Sequence, residues 1–410
     1  MRILIANWHR NVLGGAEKYI QSLLPGLLAR GHQVALVCEW QADREREIVD
    51  AGLSIPVFCS AELQFPNLMP ALDHWQPDVV YIQGMEGSDL HRALLDRYAG
   101  VLFAHNYGGT CATGTKCHGF PQPRPCHRRF GLMCLVLHYP RQCGGLNPST
   151  AWRSFRRESE RNRNLSCYRA IIVGSRHMQQ EFLQHGIPPT RIHLVPLPAA
   201  DTPLLPVDLR PRTPNGHIIL LGRLTNLKGG SYLIPAVASA SVRIGPLTLT
   251  IVGDGPDRQK LEDLSRRFHV STTFVPWIPA AEKARLLREA DLVAVPSLWP
   301  EPFGLTGIEA GQMGIPAVGF QVGGIPDWLI PGYSGELAPG DPPTVHGLTE
   351  AIVRALADPD HYEHLCRGAR EVAGRFTLER HLDGLEPVLA AAARFPAPLA
   401  ALPTGVQHPL

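Results

Sequence analysis

The sequence lacks both a long hydrophobic run and an excess of charge of either sign. No uninterrupted apolar segment approaches the roughly 18 residues that a membrane-spanning helix needs. The 410 residues include 39 basic and 37 acidic side chains, so bulk charge does not indicate a nucleic-acid-binding protein. The opening residues, MRILIANW, show no signal-peptide pattern. We therefore expect a cytoplasmic protein with no nucleic-acid partner, and the length predicts about two or three domains.

Two motifs of nucleotide-using enzymes are also missing. No predicted strand is followed by G-x-G-x-x-G with an acidic residue about 20 positions later, which argues against an NAD(P)-dependent oxidoreductase. No Asp-x-Asp motif is placed to hold a divalent cation. The sequence therefore indicates neither an NAD(P)-dependent oxidoreductase nor an enzyme that holds a divalent cation through an Asp-x-Asp motif.

Strand and helix patterns alternate in two series, one before and one after a proline-rich stretch at residues 196–216. Such alternation predicts an α/β fold with two parallel sheets, and parallel sheets bind ligands at the carboxyl ends of their strands. We expect two Rossmann-like domains facing a cleft, with the C-terminal helix returning to the N-terminal domain. The predicted boundaries are 1–200 for the first domain, 201–216 for the linker, 217–377 for the second domain, and 378–410 for a helix and loose tail.

One stretch in the second series, PSLWPEPFGLTGIEAGQMG at residues 296–314, carries two carboxylates eight positions apart. It predicts a strand end, a tight loop around Gly304 and a helix N-terminus. Unpaired N–H groups and the helix dipole favour an anion at such a terminus. Glu301 in the loop and Glu309 in the helix can both accept hydrogen bonds from hydroxyls. The stretch therefore predicts a ligand that is phosphorylated and rich in hydroxyl groups.

A second charged loop, GRLTNLKGG at residues 222–230, follows the first strand of the second series. Glycine permits a tight turn, and Arg223 and Lys228 can converge on a diphosphate from this one loop. A solvated loop with two surface cations is the alternative interpretation.

Together these motifs resemble the retaining, nucleotide-sugar-dependent glycosyltransferases of family 4. The E-x7-E spacing within EPFGLTGIEAG and the GRL-x3-KG element occur in the family's order, and GGAE at residues 14–17 is similar to its N-terminal loop. The resemblance covers roughly residues 1–394, apart from a cysteine-rich insertion. It implies the GT-B arrangement of the two Rossmann-like domains and a nucleoside diphosphate sugar as donor.

The resemblance also implies roles for individual residues. Glu301 would contact hydroxyls of the donor sugar, Glu309 would hold the ribose, and Arg223 and Lys228 would neutralise the departing diphosphate. His105, at a strand end, would position the substrate, although a structural or solvated role is an alternative in a chain with 18 histidines. We expect His105, Arg223, Lys228 and Glu301 to be catalytic. The predicted donor-binding residues are Gly14, Gly15, Gly253, Ile278, Phe303, Gly304, Leu305 and Glu309.

The implied reaction is sugar transfer, with retention and without a metal or other cofactor, to a saccharide or lipid-linked hydroxyl acceptor. Cell-surface polysaccharide or glycolipid synthesis is the expected setting. A nucleotide-sugar epimerase of the same fold is one alternative, and products formed with and without an acceptor would separate the two. A catalytically silent sugar-nucleotide-binding protein is another, but it would be expected to lose the charged set that this chain retains.

Five of the nine cysteines fall between residues 111 and 143, in an insertion at 108–147 that departs from the family pattern. An odd number cannot all pair, and disulfides are unusual in the cytosol. Thiolates and imidazoles suit zinc, yet the gaps are long and contain no C-x2-C pair. A structural zinc site, disulfides or redox thiols, and unligated buried cysteines all stay open. A zinc site would use Cys111, Cys126, Cys134 and Cys143, and the insertion would shape the acceptor pocket or a lid.

A basic stretch at residues 152–163 follows the insertion and is predicted to be helical. It is either a solvated face balanced by Glu158 and Glu160, or a contact for an anionic acceptor or a membrane surface. The second interpretation adds a peripheral position at the inner membrane face to the cytoplasmic expectation.

Overall fold

A computed structural model of the chain describes residues 1–40, 42–43, 46–199 and 214–394. The predicted linker at 201–216 lies almost entirely outside these residues, and the predicted tail beyond 394 lies wholly outside them.

The first half forms a parallel sheet whose central strands are apolar and buried on both faces, as covering helices require. Its strand order is β3-β2-β1-β4-β5-β8-β9, and β6 and β7 form a separate antiparallel hairpin. The strands are β1 Arg2–Asn7, β2 Gln33–Cys38, β3 Val57–Cys59, β4 Val79–Gly84, β5 Gly100–Ala104, β6 Cys117–His118, β7 Arg124–Pro125, β8 Ala170–Val173 and β9 Ile192–Leu194. The helices are α1 Gly15–Ala29, α2 Ser60–Leu63, α3 Phe65–Trp75, α4 Ser88–Arg97, α5 Met133–Leu137, α6 Pro148–Asn164 and α7 Arg176–Gln184.

The second half forms another parallel sheet, with the order β12-β11-β10-β13-β14-β15. Its strands are β10 His217–Leu221, β11 Thr248–Val252, β12 Ser271–Val275, β13 Leu292–Val295, β14 Ala317–Gln321 and β15 Gly335–Pro339. The helices are α8 Gly230–Ile244, α9 Arg258–Arg267, α10 Ala280–Glu289, α11 Leu305–Gln312, α12 Val345–Leu356, α13 Pro359–Ala373 and α14 Leu378–Ala393. In the described part of the chain, every helix is too short or too polar to cross a bilayer.

Each sheet reverses its strand order beside its first strand, between β1 and β4 in one and between β10 and β13 in the other. Loops leave in opposite directions at such a point, so a crevice forms at the carboxyl ends of the strands. The predicted two-sheet α/β architecture is confirmed.

Helix α14 returns to the first sheet, as predicted. The His381 ring donates from Nδ1 to the Pro196 carbonyl at 2.7 Å, so its Nε2 accepts from the Tyr19 hydroxyl at 2.8 Å. The Tyr19 hydroxyl also lies 2.7 Å from that of Tyr81 on β4. Because the side chains of His381, Tyr19 and Tyr81 are buried and paired, the last helix is fixed against α1 and β4.

The cysteine-rich insertion leaves the sheet after β5 and contains the β6–β7 hairpin and α5. It is anchored by Lys116, whose ammonium group is buried and lies 2.6 Å from Glu181 of α7. The same ammonium donates to the carbonyls of Thr110 and Arg128. A buried charge is tolerated only when it is paired and hydrogen-bonded, so this cation ties the start and the middle of the insertion to the domain.

Candidate active site

A cavity of about 580 Å³ lies where the carboxyl ends of the two sheets face each other. The first domain lines it with the β1–α1 loop, including Gly14 and Gly15, and with His105 after β5. The second domain contributes Lys228 and the loop between β13 and α11. Both topological switch points therefore open into one cavity.

Two helices from different domains begin at this cavity. Helix α1 starts after Gly14 and helix α11 after Gly304, and glycine has no side chain to cap the first N–H groups. Gly304 has a φ of +90°, a left-handed conformation that favours glycine. The uncapped N–H groups and both helix dipoles make this region attractive to an anion such as a diphosphate.

Glu301 forms a buried ion pair with Lys228 in the cavity wall. The Lys228 ammonium donates to Glu301 Oε1 at 2.5 Å, and the Ser297 hydroxyl donates to the same oxygen at 2.5 Å. Burial would raise the pKa of Glu301, but the charge of Lys228 and hydrogen bonds from Lys228, Ser297 and Trp299 outweigh it and lower that pKa. Glu301 therefore keeps its negative charge at neutral pH, next to the ammonium group of Lys228.

The loop that carries Glu301 is held rigidly by its own domain. The Trp328 indole donates to the Phe303 carbonyl at 2.7 Å, and the Gly324 N–H donates to the Glu301 carbonyl at 2.7 Å. A Cβ atom on Gly323 would lie 2.2 Å from that same Glu301 oxygen, so only glycine permits this approach. The carboxylate is thus positioned by backbone contacts that leave its side chain in the cavity.

The first domain also grips this loop. Tyr107 donates its hydroxyl to the Pro300 carbonyl at 2.5 Å, and Ser175 donates to the Pro302 carbonyl at 2.6 Å. Ser175 caps α7, and the next N–H, that of Arg176, donates to Asp327 of the second domain at 2.6 Å. These contacts cross the cleft, so the structure is a closed arrangement of the two domains.

His105 reaches the cavity as a neutral imidazole. Its ring packs against Tyr19 and Phe103, with ring centroids 5.2 and 4.6 Å away. Burial lowers the pKa of His105 to about 3, and the electrostatic effect of the nearby His381 is a smaller cause in the same direction. Its Nε2 lies 2.8 Å from Gln83 Oε1, and because a carbonyl oxygen accepts, Nε2 donates and Nδ1 holds the lone pair. The ring is held by packing and by this bond.

The structure brings most of the predicted site residues together, but not all. The cavity is lined by Gly14, Gly15, His105, Lys228, Glu301, Phe303, Gly304 and Leu305. Four further predicted residues lie in the described part of the chain but do not line it: Arg223, Gly253, Ile278 and Glu309.

The reasons differ for these four. The Arg223 side chain is exposed on the loop after β10. Gly253 is packed against the same loop, where a Cβ atom would lie 2.1 Å from the Gly222 carbonyl oxygen. Ile278 is partly buried against the core. Glu309 instead forms an ion pair with Lys283 of α10, with Nζ 2.8 Å from Oε2.

The four predicted zinc ligands do not form a metal centre in this structure. Within the described residues, no three His, Cys, Asp or Glu side chains converge closely enough to hold a metal ion. All nine cysteines are free thiols, and burial raises the pKa of Cys143 to about 11. Cys143 Sγ lies 3.5 Å from His118 Nδ1. Zinc binding by Cys111, Cys126, Cys134 and Cys143 stays a prediction.

Several residues of the site lie outside the motifs that predicted it. Ser297 stands four positions before Glu301 in the same loop and could have been found as a donor to the carboxylate. Tyr107, Ser175 and Lys283 act on groups more than 20 positions away. Only the tertiary fold brings these partners together.

Comparison with known families decides the classification. A model of the group 1 glycosyl transferases matches residues 205–372. A model of glycosyltransferase family 4 matches residues 13–199. The chain belongs to these glycosyltransferases. The family resemblance predicted from the motifs is confirmed.

Curated relatives share part of the sequence with this glycosyltransferase. Glycogen synthase of Mycobacterium tuberculosis is 36% identical over 165 residues, which are 40% of this chain and 39% of the relative. D-inositol 3-phosphate glycosyltransferase of Segniliparus rotundus is 33% identical over 183 residues, 43% of this chain and 40% of the relative. The chain thus spans about two-fifths of the length of these relatives.

Solved structures share the fold of this glycosyltransferase over nearly its whole length. The crystal structure of Anabaena HepE with UDP and glucose aligns with a TM-score of 0.67 at 18% identity, over 95% of this chain and 100% of that one. Sucrose-phosphate synthase from Thermosynechococcus elongatus aligns with a TM-score of 0.64 at 21% identity, over 95% and 99%. These likenesses confirm the predicted GT-B fold.

Proposed function

We propose that this glycosyltransferase moves a sugar from a nucleoside diphosphate sugar to a hydroxyl acceptor with retention of configuration. The observation that carries the proposal is that two helix N-termini and the Lys228–Glu301 pair face one cavity. Anabaena HepE has been crystallised with UDP and with UDP-glucose, which supports a donor of this class.

The donor's diphosphate is proposed to lie between the starts of α1 and α11, with Lys228 as its cation. Glu301 would accept hydrogen bonds from hydroxyls of the transferred sugar. Arg223 shares a loop with Lys228 and, from its exposed position, would approach the diphosphate from the outer side. Glu309, with its neighbour Lys283, would hold the ribose.

Transfer would follow a front-face route. The acceptor hydroxyl attacks the anomeric carbon from the face that the diphosphate leaves. The bond from that carbon to the phosphate oxygen breaks, a bond to the acceptor oxygen forms, and the hydroxyl proton passes to the departing phosphate. Lys228, Arg223 and the N–H groups after Gly304 stabilise the charge that develops on the diphosphate. His105, neutral because its pKa is lowered to about 3, positions the donor and takes up no proton at neutral pH.

The acceptor is proposed to be a saccharide or a lipid-linked saccharide, in cell-surface polysaccharide or glycolipid synthesis in the cytoplasm. No divalent metal takes part in the proposed reaction, since Lys228, Arg223 and the two helix ends supply the positive charge.

The test is an assay of purified protein with UDP-, GDP- and ADP-linked sugars, each with and without simple glycoside acceptors. We expect one donor to be consumed with an acceptor, and NMR of the product to show the donor's anomeric configuration. An inverted product would refute retention. A donor converted to its epimer without an acceptor would indicate an epimerase, and nucleotide binding without turnover would indicate a silent binding protein.

A further inference from the structure

The cysteine-rich insertion exposes large apolar side chains to an unusual degree. Leu132 is 76% exposed and Val136 62%, and Trp152, which follows the insertion on α6, is 57% exposed. Met133 and Tyr139 are exposed beside them in sequence. Single exposed apolar residues are ordinary, but a contiguous group of them marks an interaction site.

Ring contacts connect the segment just before α5 with the start of α6. Phe130 packs on Phe155 of α6 with centroids 5.1 Å apart, and Trp152 stacks on the same Phe155 at 6.3 Å. Leu132 follows Phe130 by two positions, so the start of α5 lies beside the start of α6. We call this the insertion surface. Its exposed apolar members are Leu132, Met133, Val136, Tyr139 and Trp152.

The insertion surface is also strongly basic. Residues 108–157 contain eight basic residues and no acidic one, although the whole chain is nearly balanced at 39 to 37. Four arginines here are exposed, and among the described residues none of them has an ion-pair partner: Arg128, Arg129, Arg141 and Arg153. The charge of this surface is therefore available to an external anion.

We propose that the insertion surface docks on an anionic lipid bilayer. Apolar side chains would enter the boundary between headgroups and acyl chains, and arginines would attract the anionic headgroups. A second copy of this chain is a poorer occupant, because a symmetric contact would bring the same uncompensated arginines of both copies together. A bilayer offers acyl chains to the apolar side chains and anionic headgroups to the arginines of this surface.

The insertion surface is attached to the wall of the cavity. In the insertion, Cys117 donates to the Leu298 carbonyl at 3.6 Å, and Arg124 pairs with Asp341 of the second domain at 2.9 Å. Leu298 precedes Glu301 by three positions, so docking would bring the donor cavity close to the bilayer surface. A lipid-linked acceptor is part of the proposed function. Docking on a bilayer is argued from the insertion surface alone and does not depend on it.

The test is co-sedimentation of the full chain with phosphatidylcholine vesicles that contain or lack phosphatidylglycerol. We expect binding to the anionic vesicles alone, weakening as salt is raised. Leu132→Asp/Val136→Asp and Arg128→Gln/Arg129→Gln/Arg141→Gln should each weaken binding at least about tenfold. The matched controls are Val242→Asp, at an 88% exposed apolar position on α8, and Arg266→Gln/Arg267→Gln on α9, and both should bind like wild type.

The proposal is overturned if the wild-type chain ignores anionic vesicles or if the control variants lose binding equally. It is also overturned if Leu132→Asp/Val136→Asp turns an oligomer into a monomer while vesicle binding persists. Each variant's unfolding midpoint is measured, and a variant that fails to fold is replaced by Leu132→Ser/Val136→Ser. Nucleoside diphosphate binding is measured in the same samples. Loss of vesicle binding alone contradicts docking, whereas absence of nucleotide binding alone contradicts the proposed function.

Discussion

Replacing Lys228 by Met should make the stability of the second domain depend on pH in a specific way. In the wild-type chain Lys228 holds the pKa of Glu301 below its usual value despite burial. Glu301 therefore adds stability above its unfolded-state pKa of about 4.3, and that contribution is lost as the pH falls through the lower folded-state pKa. Without the ammonium, burial dominates, and the folded state favours the protonated acid.

The size of the effect follows from the burial of the pair. Removing one partner of a fully buried ion pair costs about 3–5 kcal/mol. The Lys228 side chain keeps 33% of its surface exposed, so water can partly replace it, and we expect a loss of about 2–3 kcal/mol near pH 8. The loss should shrink as the pH approaches 4 or so, because the orphaned carboxyl is then protonated in both states.

Urea unfolding of wild type and Lys228→Met at several pH values measures this difference. Lys228→Met/Glu301→Gln should be more stable than Lys228→Met near pH 8, since the amide leaves no orphaned charge. Lys283→Met is the matched control: it removes the partner of the less buried Glu309, and it should cost only about 1 kcal/mol. A loss for Lys228→Met that is independent of pH, or a double variant less stable than the single one, would refute the reasoning.

Three further outcomes are expected. Tyr107→Phe removes the hydrogen bond to the Pro300 carbonyl across the cleft and should lower the unfolding free energy by about 1 kcal/mol; an unchanged urea midpoint would show that the bond contributes nothing. Gly304→Ala, at a φ of +90°, should cost about 1–2 kcal/mol and weaken nucleoside diphosphate binding in calorimetry, whereas Gly332→Ala, at a φ of +72°, should cost as much and leave binding intact; equal binding by both would count against an anion site at α11. His105→Asn should lower turnover by the same factor across the neutral pH range, because the pKa of His105 is near 3; an inflection near neutral pH that disappears in the variant would contradict a neutral positioning role.

The regular elements could be predicted wherever the sequence period was strong. The apolar run at residues 292–295 predicts the strand Leu292–Val295, and the helical spacing at residues 280–289 predicts the helix Ala280–Glu289. The short edge strand at Gly335–Pro339 could not be predicted, because glycine and proline mask its pattern. The short strand at Ile192–Leu194 could not be predicted either, since three residues show no reliable alternation.

The site could be predicted in its parts but not in its internal contacts. The loops of Lys228 and Glu301 were recognisable because glycine, charge and strand order are local features. Their direct ion pair depends on how two loops 73 positions apart meet, and no local pattern encodes that distance. The Tyr107 contact has the same origin, since a hydroxyl on one domain meets a carbonyl on the other.

The central claim is that this cavity binds a diphosphate through Lys228 and two helix ends. Isothermal titration of UDP, GDP and ADP into the wild-type chain and into Lys228→Met tests it most directly. We predict that at least one of these nucleotides binds the wild type with one site per chain, and that its Kd rises at least about tenfold in Lys228→Met, a loss of about 1.4 kcal/mol or more. Equal affinity in the two proteins, or no binding of any of the three nucleotides to the wild type, would contradict the account.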